Sequence, residues 1–387
     1  MKDDDLSNAL RFWYKASWKL TAARIFKNMS FWQNKKVLIT GHTGFKGSWL
    51  SLVLQEAGTD LVGFALPPST QPNLFTLADI SRGMTSLFGD IRDFEQILAV
   101  FKQHQPEIVV HMAAQPLVSY AYKNPIETYA TNVMGTVHLL EAARQIGCVK
   151  AIVNVTTDKC YENKEWCWGY RENDTLGGYD PYSNSKASAE LVTSSYRHAY
   201  FNTMSIGLAS VRAGNVIGGG DWAEDRLIPD IIRACMAKSI VLIRHPEAVR
   251  PWQHVMEPLS GYLLLAEKLY DQPSVYAGAW NFGPDDYDDK PVSWIVDRIA
   301  TLLHEPVHWR VDRKSDFHET TYLKLDCSKS KSQLGWQPRW CLEKGLAETV
   351  NWYNAFASGV DVRIKTISQI RDFVEVNVHN TFEVENN

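Results

Sequence analysis

"TGHTGFKG", residues 40–47, joins a short apolar strand to a helical pattern and places glycines at positions 41, 44 and 47. Glycine permits a tight turn and lets the backbone approach a bound group closely, because it has no Cβ. The helix that follows presents free N–H groups and the positive end of its dipole to a phosphate. In this strand–turn–helix context the pattern predicts a dinucleotide site. Its predicted residues are Gly41, Thr43, Gly44, Phe45, Lys46 and Gly47.

The chain around this turn alternates between short apolar strands and helical patterns. Strands are predicted at 35–41, 59–65, 107–114, 150–157 and 205–216, with a third strand ending within 86–93, and helices at 47–58, 94–104, 125–147 and 181–201. Continuous apolar strands alternating with helices are typical of a parallel sheet that is covered on both faces. We therefore predict an α/β fold, a doubly wound parallel (Rossmann) sheet that binds ligands at the carboxyl ends of its strands.

Beyond residue 216 the alternation becomes less regular, although helices are predicted at 291–304 and 341–356. We predict a dinucleotide-binding domain at 29–216, to which the chain returns near 250–284, and a smaller C-terminal substrate-binding lobe within 217–387. Residues 1–28 form an N-terminal extension without the apolar core of a signal peptide. This extension is either a poorly ordered segment or an amphipathic helix for a membrane surface or a subunit contact.

Composition restricts the class of protein. The 387 residues are 45% apolar and 22% charged, which is typical of a soluble globular protein. The net charge of −4 argues against nucleic acid as a partner, and no apolar run reaches the roughly 18 residues of a membrane span. Six cysteines without a C-x-x-C pair indicate reduced thiols in a cytoplasmic protein, and neither a metal site nor a disulfide framework.

The choice of dinucleotide does not follow from the second strand, which continues as "VGFALPPST" (62–70). It offers neither an acid for the adenosine ribose nor an arginine for a 2′-phosphate. Asp90 and Ile91 follow the third strand and are expected near the adenine. Ala113, Ala114 and Gln115 follow the fourth strand and are expected beside the nicotinamide, although close packing also explains the two alanines.

A candidate catalytic pair lies in "YDPYSNSK", where Tyr182 and Lys186 are four residues apart on one predicted helix and so share a face. A cation beside the tyrosine favours the phenolate that a base near neutral pH requires. Thr157, at the end of the fifth strand, is expected to bind the same substrate hydroxyl. Asn132, on the preceding helix, is expected to order a proton-relay water.

A charged pair, Asp158 and Lys159, follows directly behind the apolar strand "AIVNV" in "TTDKCYEN" (156–163). It either serves the chemistry at the end of that strand or forms an ion pair within a loop.

The glycine turn, Thr157 and Tyr-x-x-x-Lys together resemble the extended short-chain dehydrogenase/reductase family. In that family the epimerases carry small or apolar residues after the Ser/Thr, whereas the 4,6-dehydratases carry Asp-Glu. Asp158-Lys159 departs from Asp-Glu and resembles the members that act on CDP-glucose. Segments such as "DKCYENKEWCWGYREND" and "VRAGNVIGGGDWAEDRLIPD" extend this resemblance over roughly residues 30 to 355.

The resemblance implies NAD as the cofactor and CDP-glucose as the substrate of a lyase that removes water. C4 would be oxidised, water eliminated across C5 and C6, and the hydride returned to C6. Asp158 would protonate the departing C6 hydroxyl, and Lys159 would take the C5 proton or stabilise the enolate. The family also implies a homodimer or homotetramer through a four-helix interface of 125–147 and 181–201, and a product for the dideoxy or branched sugars of bacterial surface polysaccharide such as O-antigen.

The resemblance also implies the substrate-binding residues. The arginine of "VRPWQHV" binds the diphosphate in related enzymes, and the candidates are Asn215, Arg226, Arg250, Trp252 and His254, with Trp252 or Trp222 near the cytosine. The alternatives are a dTDP-glucose 4,6-dehydratase, a UDP-sugar 4-epimerase, or a non-catalytic NAD-binding protein. A non-catalytic protein would be expected to have lost Thr157, Tyr182 or Lys186.

Overall fold

The computed structural model describes residues 30–304, 306–312 and 321–380. The N-terminal extension expected at 1–28 lies outside this range.

The described part of the chain contains twelve strands. They are β1 (Lys36–Thr40), β2 (Asp60–Ala65), β3 (Thr85–Phe88), β4 (Ile108–His111), β5 (Ala151–Val155), β6 (Gly207–Ala213), β7 (Asn215–Ile217), β8 (Val241–Ile243), β9 (Val249–His254), β10 (Gly278–Phe282), β11 (Asp289–Pro291) and β12 (Trp309–Val311). Seven of them form one parallel sheet in the order β10-β6-β5-β4-β1-β2-β3. The order reverses between β1 and β4, and such a reversal opens a ligand crevice at the carboxyl ends of the strands. The predicted doubly wound fold is confirmed.

Fourteen α-helices are described. They are α1 (Phe45–Glu56), α2 (Leu74–Leu77), α3 (Phe94–His104), α4 (Val118–Lys123), α5 (Pro125–Tyr129), α6 (Gly135–Ile146), α7 (Pro181–Tyr196), α8 (Asn202–Met204), α9 (Leu227–Ala237), α10 (Met256–Asp271), α11 (Pro273–Tyr276), α12 (Val292–Leu303), α13 (Leu342–Ala357) and α14 (Val362–Asn380). Helices cover both faces of the large sheet because successive side chains of a strand point to opposite sides. In β1, Ile39 joins the core that includes Trp49 of α1, whereas Leu38 joins the core that includes Leu139 of α6.

The structure adds to the predicted elements and divides some of them. A seventh strand, β10, adds to the edge of the sheet beside β6. The helix predicted at 125–147 consists of α5 and α6 joined by a π-helical turn at Ala130–Met134. Helix α14 was not predicted, and Arg371 ties it to Glu56 of α1 with a 2.8 Å ion pair.

Two small sheets, β11-β9-β7 and β12-β8, lie in the less regular part of the chain. The division into two domains stays a prediction. All six cysteines are free thiols. Among the described helices, none combines the length and the apolar character needed to cross a membrane.

Candidate active site

The glycine turn 41–47 connects β1 to α1, and its glycines serve two purposes. A Cβ on Gly41, whose φ is +77°, would lie 2.7 Å from the backbone nitrogen of Ala113, and one on Gly47 would lie 2.1 Å from the Gly41 carbonyl oxygen. The protein's own packing therefore excludes a side chain at both positions. A Cβ on Gly44 would have its nearest neighbour at 3.5 Å. Gly44 is the N-cap of α1 and brings no capping side chain over the first N–H groups of the helix, which are the donors that a pyrophosphate would use.

Other predicted residues of this turn pack into the protein. Thr43 donates a hydrogen bond to the carbonyl of Leu66 at 2.9 Å, and Phe45 packs against the core beneath the sheet edge. Lys46 does not point toward the adenosine half. Its side chain lines a large cavity together with Asp158 and Tyr182.

The adenosine end of the crevice contains residues that the sequence analysis missed. Leu66 and Phe88 are exposed apolar side chains at the carboxyl ends of β2 and β3. The signal in the sequence would have been a large apolar residue at the end of each of these two strands, because ligands of this fold bind at the carboxyl ends of strands and an adenine ring packs on apolar surface. Predicted Asp90 binds Arg92 through a 2.6 Å ion pair, and Ile91 is buried against Gly135.

The loop after β4 is held by its own side chains. Ala113 donates its N–H to Thr40 at 3.2 Å and forms the close contact with Gly41, while Ala114 is half-buried. The Gln115 amide binds Leu117 and Thr128, so this side chain is turned into the protein. The contacts of Ala113, Ala114 and Gln115 with the cofactor stay a prediction.

Asn132 lies in the π-helical turn and is buried. Its side-chain Oδ1 accepts the Gln115 backbone N–H at 2.8 Å. Its side-chain Nδ2 donates to the Gln115 backbone carbonyl at 3.1 Å and to the Ser185 hydroxyl at 2.8 Å. Asn132 thus fastens the loop after β4 to the catalytic helix α7. The predicted ordering of a water by Asn132 stays a prediction.

Thr157, Tyr182 and Lys186 come together at the carboxyl end of β5, where all three are buried. Thr157 hydrogen-bonds the Tyr182 hydroxyl and also accepts the Lys159 N–H at 3.3 Å. Lys186 donates to the Val155 carbonyl at 2.8 Å. Tyr182 and Lys186 lie on one helix at the predicted spacing and Thr157 follows the adjoining strand, whereas direct contact between Tyr182 and Lys186 stays a prediction.

The electrostatics of Tyr182 differ from the expectation of a lowered pKa. Burial raises the pKa of Tyr182 to about 12, and the Thr157 hydrogen bond offsets this only in part. Burial also lowers the pKa of Lys186 to about 8, and its ammonium is directed at the Val155 carbonyl. Desolvation outweighs the Thr157 hydrogen bond and the charge of Arg226, which both lower the pKa of Tyr182, and a lowering by Lys186 stays a prediction. A further positive charge in the crevice would favour the phenolate.

Asp158 lies in a short 3₁₀ turn, Asp158–Cys160, directly after β5 and is buried. Its Oδ1 accepts the Thr157 hydroxyl at 3.0 Å, whereas its buried Oδ2 has no hydrogen-bond partner among the described residues. Burial raises the pKa of Asp158, although Lys159, the Thr157 hydrogen bond, Arg250 and Lys46 oppose that rise. A buried carboxyl group with an unsatisfied oxygen is suited to give a proton to a ligand.

A cavity of about 680 Å³ opens from this cluster. Asp158 and Lys159 both line it, as do the predicted substrate residues Asn215, Arg226, Arg250 and Trp252. Arg250 is buried and donates to the Val249 carbonyl at 2.9 Å, and Arg226 lies 3.3 Å from the Asp221 carboxylate. The cavity therefore joins the candidate acid to cations that suit a diphosphate.

His254 was expected in the substrate site, and the structure does not support this. Its buried ring packs against Trp49 and Trp340, with ring centroids 5.5 and 4.9 Å away, and does not line the cavity. His254 is the last residue of β9 and lies in the protein core, where burial lowers its pKa to about 3. Trp222 likewise packs against Tyr353 rather than into the cavity.

The cavity also contains charged residues without a sequence signal. Arg233, Arg244 and Asp312 line it from α9, from the end of β8 and from the end of β12. They lie in three separate segments of the chain that share no motif, so only the tertiary fold brings them to one place. Lys46, which was predicted for the cofactor turn, also lines this cavity, and burial and the charge of Arg226 lower its pKa to about 8 while Asp158 opposes this shift.

A doubly wound sheet with a glycine turn, a buried Thr–Tyr–Lys cluster and a cationic cavity defines an enzyme of the extended short-chain dehydrogenase/reductase class. Residues 38–349 match the family model described as GDP-mannose 4,6 dehydratase, and the chain belongs to this family.

Curated relatives divide by their identity to this chain. A CDP-glucose 4,6-dehydratase of Salmonella typhimurium is 55% identical over 350 residues, which are 89% of this chain and 98% of the relative. A dTDP-glucose 4,6-dehydratase of the same organism is 28% identical over 345 residues, which are 83% of this chain and 93% of that relative.

Solved structures show the same fold. A dTDP-glucose 4,6-dehydratase from Bacillus anthracis in complex with NAD has a TM-score of 0.69 at 24% identity, covering 85% of this chain and 99% of that one. An epimerase from Methanothermobacter thermautotrophicus has a TM-score of 0.76 at 22% identity, covering 88% and 97%.

Proposed function

We propose that this chain is an NAD-dependent CDP-glucose 4,6-dehydratase that converts CDP-glucose to CDP-4-keto-6-deoxyglucose and water. The observation that carries the reaction is Asp158, a buried acid that lines the cavity beside Lys159 and whose buried Oδ2 has no hydrogen-bond partner among the described residues. The observation that supports cytosine as the nucleobase of the substrate is the 55% identity to a CDP-glucose 4,6-dehydratase across 98% of that relative. The product would serve the synthesis of deoxy sugars for surface polysaccharide.

NAD⁺ held at the glycine turn would supply the acceptor of the C4 hydride, the donor that returns it to C6, and a positive charge near Tyr182. The turn fits it, because Gly44 leaves room above the first N–H groups of α1. Asp90, Ile91, Ala113 and Ala114 would line its remaining length.

Tyr182 would take the proton of the C4 hydroxyl, and Thr157 would hydrogen-bond the same oxygen. Thr157 and Tyr182 both line the cavity, and the Thr157 hydroxyl lowers the pKa of Tyr182, which supports a shared contact with one substrate oxygen. The resulting ketone makes the neighbouring C5 proton acidic. Lys186 would favour the phenolate as a buried cation on the same helix.

Asp158 would protonate the C6 hydroxyl as it leaves, and Lys159 would take the C5 proton or stabilise the enolate. The pKa of Asp158 is raised by burial, which keeps a larger fraction of the acid protonated. After water has left, C6 would receive the hydride and C5 a proton from the group that had taken it.

The diphosphate would lie between Arg250 and Arg226, with Asn215 at the sugar–phosphate junction. Trp252 lines the cavity and donates its ring N–H to the Lys290 carbonyl at 2.9 Å, so its face is held in place for packing against the nucleotide. Lys46 adds a further cation on the sugar side.

A panel of nucleotide sugars tests this proposal. With NAD⁺ present, we expect CDP-glucose to lose one water by mass spectrometry without net NADH, whereas dTDP-glucose, UDP-glucose and GDP-mannose stay unchanged. Water loss from another nucleotide sugar would keep the mechanism and refute the base assignment. An epimerised product without water loss would refute the roles of Asp158 and Lys159.

We also propose that the chain forms a dimer through α5, α6 and α7. Exposed apolar side chains on these helices support it, among them Ile126 at 85% and Leu191 at 61% exposure.

Leu191→Asp is expected to give monomers by light scattering at micromolar concentration, because a charge would be buried in the interface. Ile364→Asp is the control, since Ile364 is 66% exposed but lies on α14. A monomeric wild type, or equal effects of both changes, would contradict the proposal.

A further inference from the structure

A buried ion pair lies directly behind the catalytic cluster. Glu190 of α7 and Arg212 of β6 have side chains that are each 3% exposed, and they make two parallel hydrogen bonds of 2.9 Å. The Glu190 carboxylate also accepts two hydrogen bonds from hydroxyl groups, those of Thr156 at 2.5 Å and Ser210 at 2.5 Å. None of these four residues lines the cavity except Thr156.

The ion pair holds both ends of the catalytic turn 157–160. At its start, the Thr156 hydroxyl donates to Glu190. At its end, Arg212 donates to the Tyr161 hydroxyl at 2.8 Å, and its guanidinium lies 4.8 Å from the centre of the Tyr161 ring. Thr157, Asp158 and Lys159 therefore lie on a segment whose two flanking residues are fastened to one buried pair.

The same pair connects the turn to the catalytic helix. Glu190 lies one helical turn after Lys186 on α7, so its position relative to Lys186 is set by helix geometry. Its charge also opposes the loss of the Lys186 proton. A displacement of Glu190 would move the turn relative to Tyr182 and Lys186.

Stability alone is a weak reason for such a pair. Desolvation of two buried charges often cancels their attraction, and well-packed apolar residues can replace a buried ion pair without loss of stability. What apolar residues would not supply is directional contact to Thr156 and Tyr161 at once. The geometry of the contacts thus favours a role in the placement of the turn.

We propose that Glu190 and Arg212 are positioning residues, which as one buried pair fix the catalytic turn 157–160 against α7 for the elimination step. This inference rests on the proposed dehydratase function. The acid and base of that step lie on the turn, whereas Tyr182 lies on α7. Loosening the turn should therefore slow the elimination more than the oxidation.

The test compares Thr156→Val with Ser210→Ala in the full chain with NAD⁺ and CDP-glucose. Each variant loses one hydroxyl that donates to Glu190 at 2.5 Å, but only Thr156 adjoins the catalytic turn. We expect similar losses of melting temperature. We expect kcat to fall about 10²-fold in Thr156→Val alone, with KM unchanged, as for a small displacement of catalytic groups.

Two further readouts separate placement from general damage. In Thr156→Val the reduced cofactor should accumulate during turnover, seen by its near-ultraviolet absorbance, because oxidation continues while elimination is slow. Thr156→Ser, which keeps the hydroxyl, should restore the wild-type kcat. Tyr161→Phe, which releases the other end of the turn, should accumulate reduced cofactor in the same way.

Equal kcat values for Thr156→Val and Ser210→Ala beside an active wild type would overturn the inference, as would a slow Thr156→Val without reduced cofactor. A wild type that leaves CDP-glucose unchanged would instead contradict the proposed function. The comparison of variants would then use the nucleotide sugar that the panel identifies.

Discussion

Asp158→Asn is expected to stop the loss of water from CDP-glucose while C4 oxidation continues. Asparagine keeps the shape of the side chain and can still accept the Thr157 hydroxyl at Oδ1, but it has no acidic proton for the departing C6 hydroxyl. Loss of a general acid lowers kcat by about 10²–10⁴-fold. Reduced cofactor should therefore accumulate toward one equivalent per site, measured by absorbance, while mass spectrometry shows CDP-4-keto-glucose without water loss.

Asp93→Asn is the matched control, because Asp93 caps α3 away from the cavity and asparagine caps a helix as well. It should turn over like the wild type. Normal water loss in Asp158→Asn would remove Asp158 from the acid role. A variant that neither reduces the cofactor nor loses water, but still binds NAD⁺, would indicate that Asp158 acts before the elimination.

Tyr182→Phe is expected to abolish both half-reactions. Without the hydroxyl, no group of the cluster accepts the C4 proton, since Thr157 is a poor base and Lys186 is directed at the Val155 carbonyl. The rate should fall by about 10²–10⁴-fold, with neither reduced cofactor nor water loss in rapid-mixing and mass measurements. The two variants thus differ in their cofactor signal, since reduced cofactor should accumulate in Asp158→Asn but not in Tyr182→Phe.

Tyr196→Phe serves as the control for Tyr182→Phe. Tyr196 ends the same helix and contacts Glu141 outside the cavity, so its hydroxyl should be dispensable. Both variants should bind NAD⁺ and melt close to the wild type. Reduced cofactor in Tyr182→Phe at the wild-type rate would show that another group takes the C4 proton and would exclude Tyr182 as the base.

The two variants together separate the helix from the turn. Tyr182 lies on α7 and Asp158 on the 3₁₀ turn, so one variant tests the oxidation and the other tests the elimination. Lys159→Ala, studied beside Asp158→Asn, would then show whether removal of the C5 proton depends on Lys159.

Short stretches of the sequence were enough to predict the parallel sheet, the glycine turn and the Tyr–Lys spacing. The parallel sheet follows from apolar runs that alternate with helices, and the glycine turn follows from a strand, three glycines and a helix in succession. Tyr182 and Lys186 share a face because four residues make about one helical turn. Sequence resemblance then pointed to the reaction, and the family match and the 55% identical relative agree with it.

Tertiary structure decided the features that depend on distant segments. β10 joins β6 from about 65 residues further along the chain, His254 packs between Trp49 and Trp340, and Lys46 shares a cavity with Arg226. The protonation of Tyr182 and Asp158 belongs here too, because burial is a property of the packed protein and outweighs the adjacent charges. Sequence periodicity determines which residues share an element, whereas desolvation and the approach of charges exist only after the elements have packed.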